Sequence, residues 1–176
     1  MSRSRPELGL GSRLLIGAIA GFVGTMAMTS AMRKLHKRLP PEERYPLTPR
    51  EIIDSTAEAA GMEPGEEAAK DATTASHFLY GAGSGALLGA LNMPVSPVTG
   101  AVAGVAVWLG SYMGWIPAGG ILKPATDHPA RRNGAMIAAH IVWGWSTAKA
   151  MRELVAARET IFAEGPDKDV PHRDGD

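Results

Sequence analysis

The chain has 176 residues and carries 18 Lys+Arg against 18 Asp+Glu, with no Cys, 21 Gly and 3 Phe. A zero balance of charge removes the electrostatic ground for a nucleic-acid partner, and the lack of Cys excludes a disulfide framework, a thiolate metal site and a cysteine nucleophile. The average conceals a segregation: residues 14–32, 72–122 and 133–148 contain no Lys, Arg, Asp or Glu, so every charge lies between or outside these runs.

A helix or strand in water needs a wet face, so polar positions recur along it, whereas long uncharged runs match the ~30 Å hydrocarbon layer of a bilayer. The pattern predicts an all-α integral membrane protein, a four-helix bundle with a short amphipathic helix in its first loop. Residues 1–13 read as an N-terminal tail and 14–163 as one membrane domain. The first run, Leu14 to Met32, has 19 residues and predicts a span over about 14–34. It exceeds the roughly 7–15 residues of a signal-peptide core and leads into Arg33, Lys34, Lys37 and Arg38, so it is expected to be retained.

In the first loop, Thr48-Pro49-Arg50-Glu51 has the form of a capping box with proline at the first helical position. Ile52, Ile53, Ala57 and Ala60 then share a face and Gly61 ends it, which predicts a helix over about 49–60 lying on the membrane or on the bundle mouth. A further helical piece from about 64 runs through Glu66, Glu67 and Lys70 into the second span. The second charge-free run is 51 residues long, enough for two helices of about 20 residues and a turn. Asn92-Met93-Pro94-Val95-Ser96-Pro97 supplies the turn, placing spans at about 73–91 and 98–116, with 116–122 as an apolar loop or partly re-entrant piece. The third run has 16 residues, and a span over about 131–152 requires Arg131, Arg132 and Lys149 to extend their stems and keep their heads in water. The charged, Pro- and Gly-bearing segment 164–176 reads as a disordered tail. Four crossings put both termini on one side, and Lys and Arg near the span ends divide seven against ten between the sides, which sets no orientation.

Helices in lipid associate through small residues that let backbones approach. Gly17 and Gly21, then Gly81, Gly85 and Gly89, then Gly100 and Gly104, and finally Gly110 and Gly114 form stripes at four-residue spacing, for packing within the bundle or for docking another chain. Trp115, Trp143 and Trp145 are candidate anchors at the membrane interface. Trp143 and Trp145 are about 200° apart around a helix, so one is expected to meet the bundle and the other lipid.

His77 and His140 are the ionisable side chains of the spans besides tyrosines, and an intramembrane histidine is a functional-site hypothesis. Counted from the span ends, both fall roughly 7–12 Å below the same boundary. They are therefore expected to meet as a polar contact between spans two and four, with Ser111 and Tyr112 at a similar level, Thr73, Thr74 and Ser76 before His77, and Ser146 in the fourth span. Three readings stay open: neutral hydrogen-bonding struts, a proton-responsive pair, or bis-histidine ligation of haem or a metal. Zinc would need a further ligand from His36, Glu51, Asp54 or His128. No GxSxG, HExxH, P-loop or dinucleotide fingerprint occurs, so no enzyme and no resident cofactor are expected.

His140-Ile141-Val142-Trp143-Gly144-Trp145-Ser146, followed by Met151-Arg152, resembles the His-x-Val-Trp-x-Trp-Ser pattern of the YagU-like bacterial inner-membrane proteins, whose molecular function is unknown. His77 opening the second span and Met113-Gly114-Trp115-Ile116-Pro117 extend the resemblance over about residues 75–155. It implies a multi-span protein of the bacterial inner membrane and an association with acid tolerance. The leading expectation is thus a small non-catalytic, accessory or acid- and stress-related membrane protein whose partner is the bilayer. The alternatives are a structural subunit of a larger membrane complex, or of an assembly with itself, docking through glycine faces, and a haem or metal carrier.

Overall fold

The computed structural model describes residues 8–44, 48–92, 95–163 and 165. Its secondary structure is helical, with no strand among the described residues. Helix α1 is Leu10–His36, α2 Thr48–Ala59, α3 Glu66–Ala90 and α4 Pro97–Leu109; a π-helical turn, Gly110–Trp115, leads into the single turn α5, Ile116–Ala118, and α6 is Ala130–Thr160. Two helical stretches, Leu10–His36 and Pro97–Ala118, are long and apolar enough to cross a membrane.

The helix ends follow local chemistry. Arg33, Lys34 and His36 occupy the last turn of α1 and Glu66 and Glu67 the first turn of α3, each complementing the helix dipole. Ser96 caps α4: its hydroxyl accepts from the Thr99 N–H at 3.1 Å, while the Thr99 hydroxyl accepts from the Ser96 N–H at 2.9 Å, with Pro97 following at the first helical position.

Several expected boundaries move. Part of the expected N-terminal tail is helical, because α1 begins at Leu10. The stretch expected as one straight helix over 98–116 departs from helical geometry at Gly114 (φ −113°, ψ −110°), after the π turn has widened the backbone. The expected apolar loop at 116–122 begins with the turn of α5, whose Ile116 is buried. Met93, Pro94 and the expected disordered tail, Gly165 apart, lie outside the described residues.

Helix α1 packs against both α3 and α6, and α4 packs against α6. The glycine stripes make these seams. A Cβ on Gly17 or Gly21 would strike the carbonyl oxygen of Gly85 or Gly81, one on Gly85 the carbonyl of Gly17, and one on Gly89 that of Arg13. Backbone therefore rests on backbone between α1 and α3. Gly100 and Gly104 meet the carbonyls of Gly144 and His140 in the same way, joining α4 to α6. Gly110 and Gly114, expected to extend the α4 stripe, have nothing within 4 Å, because the π turn rotates them off the seam.

Outward faces are apolar. Leu15, Leu79, Leu87, Val98 and Val102 are 61–73% exposed, whereas Thr25, Thr147, His140 and Arg132 are buried.

Candidate functional site

At the end where α1 and α4 finish and α3 and α6 begin, the interhelical residues are large, and a partly open cavity of about 200 Å³ lies among them. Met28 and Met32 of α1, Met136 and Trp143 of α6 and Val107 of α4 give it apolar walls; Ile52, Thr48 and Pro49 of α2 form part of the enclosure. His77 and Tyr80 of α3, Ser111 and Tyr112 of the π turn and His140 of α6 bring polar atoms to the same wall. His77 and His140 thus both line this cavity.

The two imidazoles share the cavity but are not hydrogen-bonded to each other. His77 Nε2 is 3.3 Å from the Thr29 hydroxyl and His140 Nδ1 is 2.8 Å from the Met136 carbonyl oxygen, so each leans on α1 or on its own helix. Tyr80 and Ser111 hydroxyls are 2.7 Å apart, and the Trp115 indole N–H reaches the Tyr80 oxygen at 3.4 Å. These side chains link α3 to the end of α4. Ser146 is half-buried and does not line the cavity.

Helix α2 closes this end through two contacts. The Thr48 hydroxyl hydrogen-bonds the Tyr112 hydroxyl, and Arg132, 3% exposed, pairs with Glu51 at 3.2 Å. Both contacts revise the sequence reading. Thr48 and Glu51, expected to cap α2 reciprocally, instead engage Tyr112 and Arg132, because tertiary partners compete for the same side-chain atoms. Arg132, expected to keep its head in water, is held inside by the Glu51 carboxylate. Burial pushes the Glu51 carboxyl above its ordinary range, and the Arg132 charge opposes that rise. On its outer side α2 is tied to α3 by Arg50, which contacts Asp54 at 2.8 Å and Glu66 at 2.9 Å, and the Arg50 guanidinium holds the Glu66 carboxyl low.

The expected anchors separate. Trp115 and Trp145 are each 45% exposed, and the Lys149 ammonium lies 5.3 Å from the Trp145 ring centre. Trp143, grouped with them as an anchor, is instead 2% exposed; its indole N–H reaches the Thr25 hydroxyl at 3.2 Å and the Gly21 carbonyl at 3.3 Å. It lies on the face of α6 that carries His140, Gly144 and Thr147, and that small and polar face is the one turned inward.

Thr25, Thr29 and Tyr80 are site residues that the sequence reading did not single out, and it named Glu51 and Arg132 without pairing them. Thr25 and Thr29 follow Gly21 at four-residue steps, a continuation of the glycine face that marks them as inward. Asn133 of α6 clasps the preceding loop through Nδ2, at 2.6 Å from the Ala125 carbonyl.

A metal or haem fits poorly. Among the described residues no three His, Asp or Glu side chains come together as ligands, so His36, Asp54 and His128 do not complete a site around the two histidines. A cavity of about 200 Å³ is too small for a porphyrin. Comparison with known proteins finds no matching family model, no similar curated protein and no similar solved structure.

Proposed function

We propose that α1, α3, α4–α5 and α6 all cross a bilayer, making the chain a small, non-catalytic four-span protein of the bacterial inner membrane. The reading rests on one observation: large apolar side chains stand on the outward faces of these helices, while glycine, threonine, histidine and an ion-paired arginine are buried between them beside Met28, Met32, Trp108 and Trp143. Lipid is the solvent that makes this distribution favourable, since glycine-to-glycine approach supplies van der Waals contact where no hydrophobic drive operates between helices. The polar start of α3 and the charged flanks of α6 account for their falling short as isolated apolar segments while still completing the bundle.

Under this reading the role is accessory, with the cavity as its working part. Two imidazoles in a largely apolar wall support the acid- or stress-related role that the YagU-like resemblance implies. The alternative of a subunit docking through a glycine face retains only Gly110 and Gly114, because the other stripes face partners within the chain.

The crossing pattern is testable because the chain has no cysteine of its own. Single cysteines at Ser12, Glu58, Val95 and Thr126, probed with an impermeant maleimide on right-side-out and inverted vesicles, should label in two groups: 12 with 95, and 58 with 126. Labelling of all four from one side would end the four-crossing reading.

A further inference from the structure

The hydrogens of the cavity wall can be placed from their partners, because a carbonyl oxygen only accepts. The Thr29 hydroxyl is 2.8 Å from the Thr25 carbonyl and donates there, so its contact with His77 requires a hydrogen on His77 Nε2. His140 Nδ1 faces the Met136 carbonyl at 2.8 Å and must also carry a hydrogen. In their uncharged forms the two rings are opposite tautomers, His77 bare at Nδ1 and His140 bare at Nε2.

Most of the neighbouring donors are occupied, although the Trp108 indole N–H, in the same cluster of side chains, has no partner among the described residues. Ser111 donates to the Val107 carbonyl at 2.8 Å, so Tyr80 donates to Ser111 at 2.7 Å and receives the Trp115 N–H. Thr25 donates to the Gly21 carbonyl at 2.8 Å, Ser76 to the Thr73 carbonyl at 3.0 Å, and Trp143 to Thr25 at 3.2 Å. One hydrogen of the Thr48–Tyr112 pair is left over at the α2 end. The Ser84 hydroxyl, roughly 10 Å along α3 from His77, can donate or accept and so does not discriminate. Both imidazoles line a chamber whose surface is almost wholly apolar, and neither His77 Nδ1 nor His140 Nε2 has a donor among the described residues. Unmatched acceptors in such surroundings favour a guest that brings a hydrogen.

We propose that this cavity is a binding site for a compact aromatic alcohol, of the phenol class, whose hydroxyl donates to a lone pair of His77 or His140. Its ring system packs against Met28, Met32, Val107, Met136 and Trp143. The size agrees: an apolar cavity of about 150 Å³ takes up benzene, so one of about 200 Å³ accommodates a larger ring system up to two fused rings. The assignment goes beyond the accessory role above and does not depend on how many helices cross the bilayer. It distinguishes by hydrogen-bond sense: a hydroxyl binds, while an ether or ketone of the same shape has no hydrogen to offer the imidazoles.

The test uses the purified full chain in mild detergent at pH 8, with equilibrium dialysis of 2-naphthol and 2-methoxynaphthalene against protein-containing and empty micelles. The expected result is saturable binding of one 2-naphthol per chain, at least tenfold tighter than the methyl ether, a difference of about 1.4 kcal/mol. Met136→Trp, which fills the cavity and leaves both histidines in place, should abolish it. Equal affinity for the two compounds, uptake no greater than that of empty micelles, or unchanged binding in a folded Met136→Trp variant would each overturn the assignment. If Met136→Trp does not fold, the comparison of the two naphthalenes on the unaltered chain still decides.

Discussion

The four long helices behave differently in their two halves. In the half containing Gly17, Gly21, Gly85, Gly100 and Gly144, backbones touch and no room remains for a side chain at the contact. In the other half Met28, Met32, Met136, Tyr112 and Trp143 stand between the same helices, and a cavity opens among them. Residue size alone separates a seam from a chamber here. Of the polar groups in the chamber, His77 meets Thr29 and Tyr80 meets Ser111 across helices, and α2 is pinned over it by an ion pair.

The largest expected effect breaks the seam. Gly85→Ala places a Cβ against the Gly17 carbonyl and the Gly21 backbone, which cannot yield as a flexible side chain would, and should cost about 3 kcal/mol, the upper end for overpacking. Gly83→Ala, two residues away with nothing within 4 Å, should instead stabilise by up to about 1 kcal/mol through helix propensity. Opposite shifts in unfolding by SDS titration or heating in detergent are the measurement; equal shifts would deny that the seam is backbone on backbone. The next effect concerns the chamber's closure. Glu51→Ala removes a carboxylate partner of the almost wholly buried Arg132 guanidinium and should cost about 2 kcal/mol, below the ~3–5 of a fully buried pair because the Glu51 side chain is 22% exposed. Proteolysis within residues 37–65 should quicken in this variant and stay unchanged in Gly83→Ala.

Much of the helical layout was legible from charge, and the reason is local: an uncharged run, a proline turn and a polar start to α3 are properties of neighbouring residues. Glycine spacing likewise announced flat faces. It did not assign partners, because the match of Gly17 to Gly85 or Gly100 to Gly144 depends on the register of two antiparallel helices, which no single segment contains. Thr48 and Glu51 show the same limit from the other side. Their spacing is that of a capping box whether or not they cap, and the partners that draw them away, Tyr112 and Arg132, stand 64 and 81 residues along the chain. The depth of His77 and His140 could be counted along their helices, but their hydrogen-bond partners could not, since Thr29 belongs to a third helix. Trp143 was open to a better reading. His140, Gly144 and Thr147 mark one face of α6 as small and polar, and Trp143 shares it.

The smallest expected effect asks whether the closure over the chamber tightens or loosens in acid. The Glu51 carboxyl is raised above its unfolded value of 4.5, chiefly because burial disfavours its charge, with Arg132 countering in part. A raised pKa means that the folded chain takes the proton before the unfolded chain does. The contribution is therefore fully present below pH 4.5 and is lost as pH rises through the folded value. Desolvation outweighs the ion pair, so acidification across that window should favour the closed α2 rather than release it. Glu51→Gln keeps a side chain that can accept from Arg132 and removes the titration. Subtracting its stability from that of the unaltered chain at each pH isolates the carboxyl from all other groups, and the difference should fall as pH rises above 4.5. A difference that climbs with pH would mean that attraction to Arg132 dominates, and the chamber's lid would then open, not close, in acid.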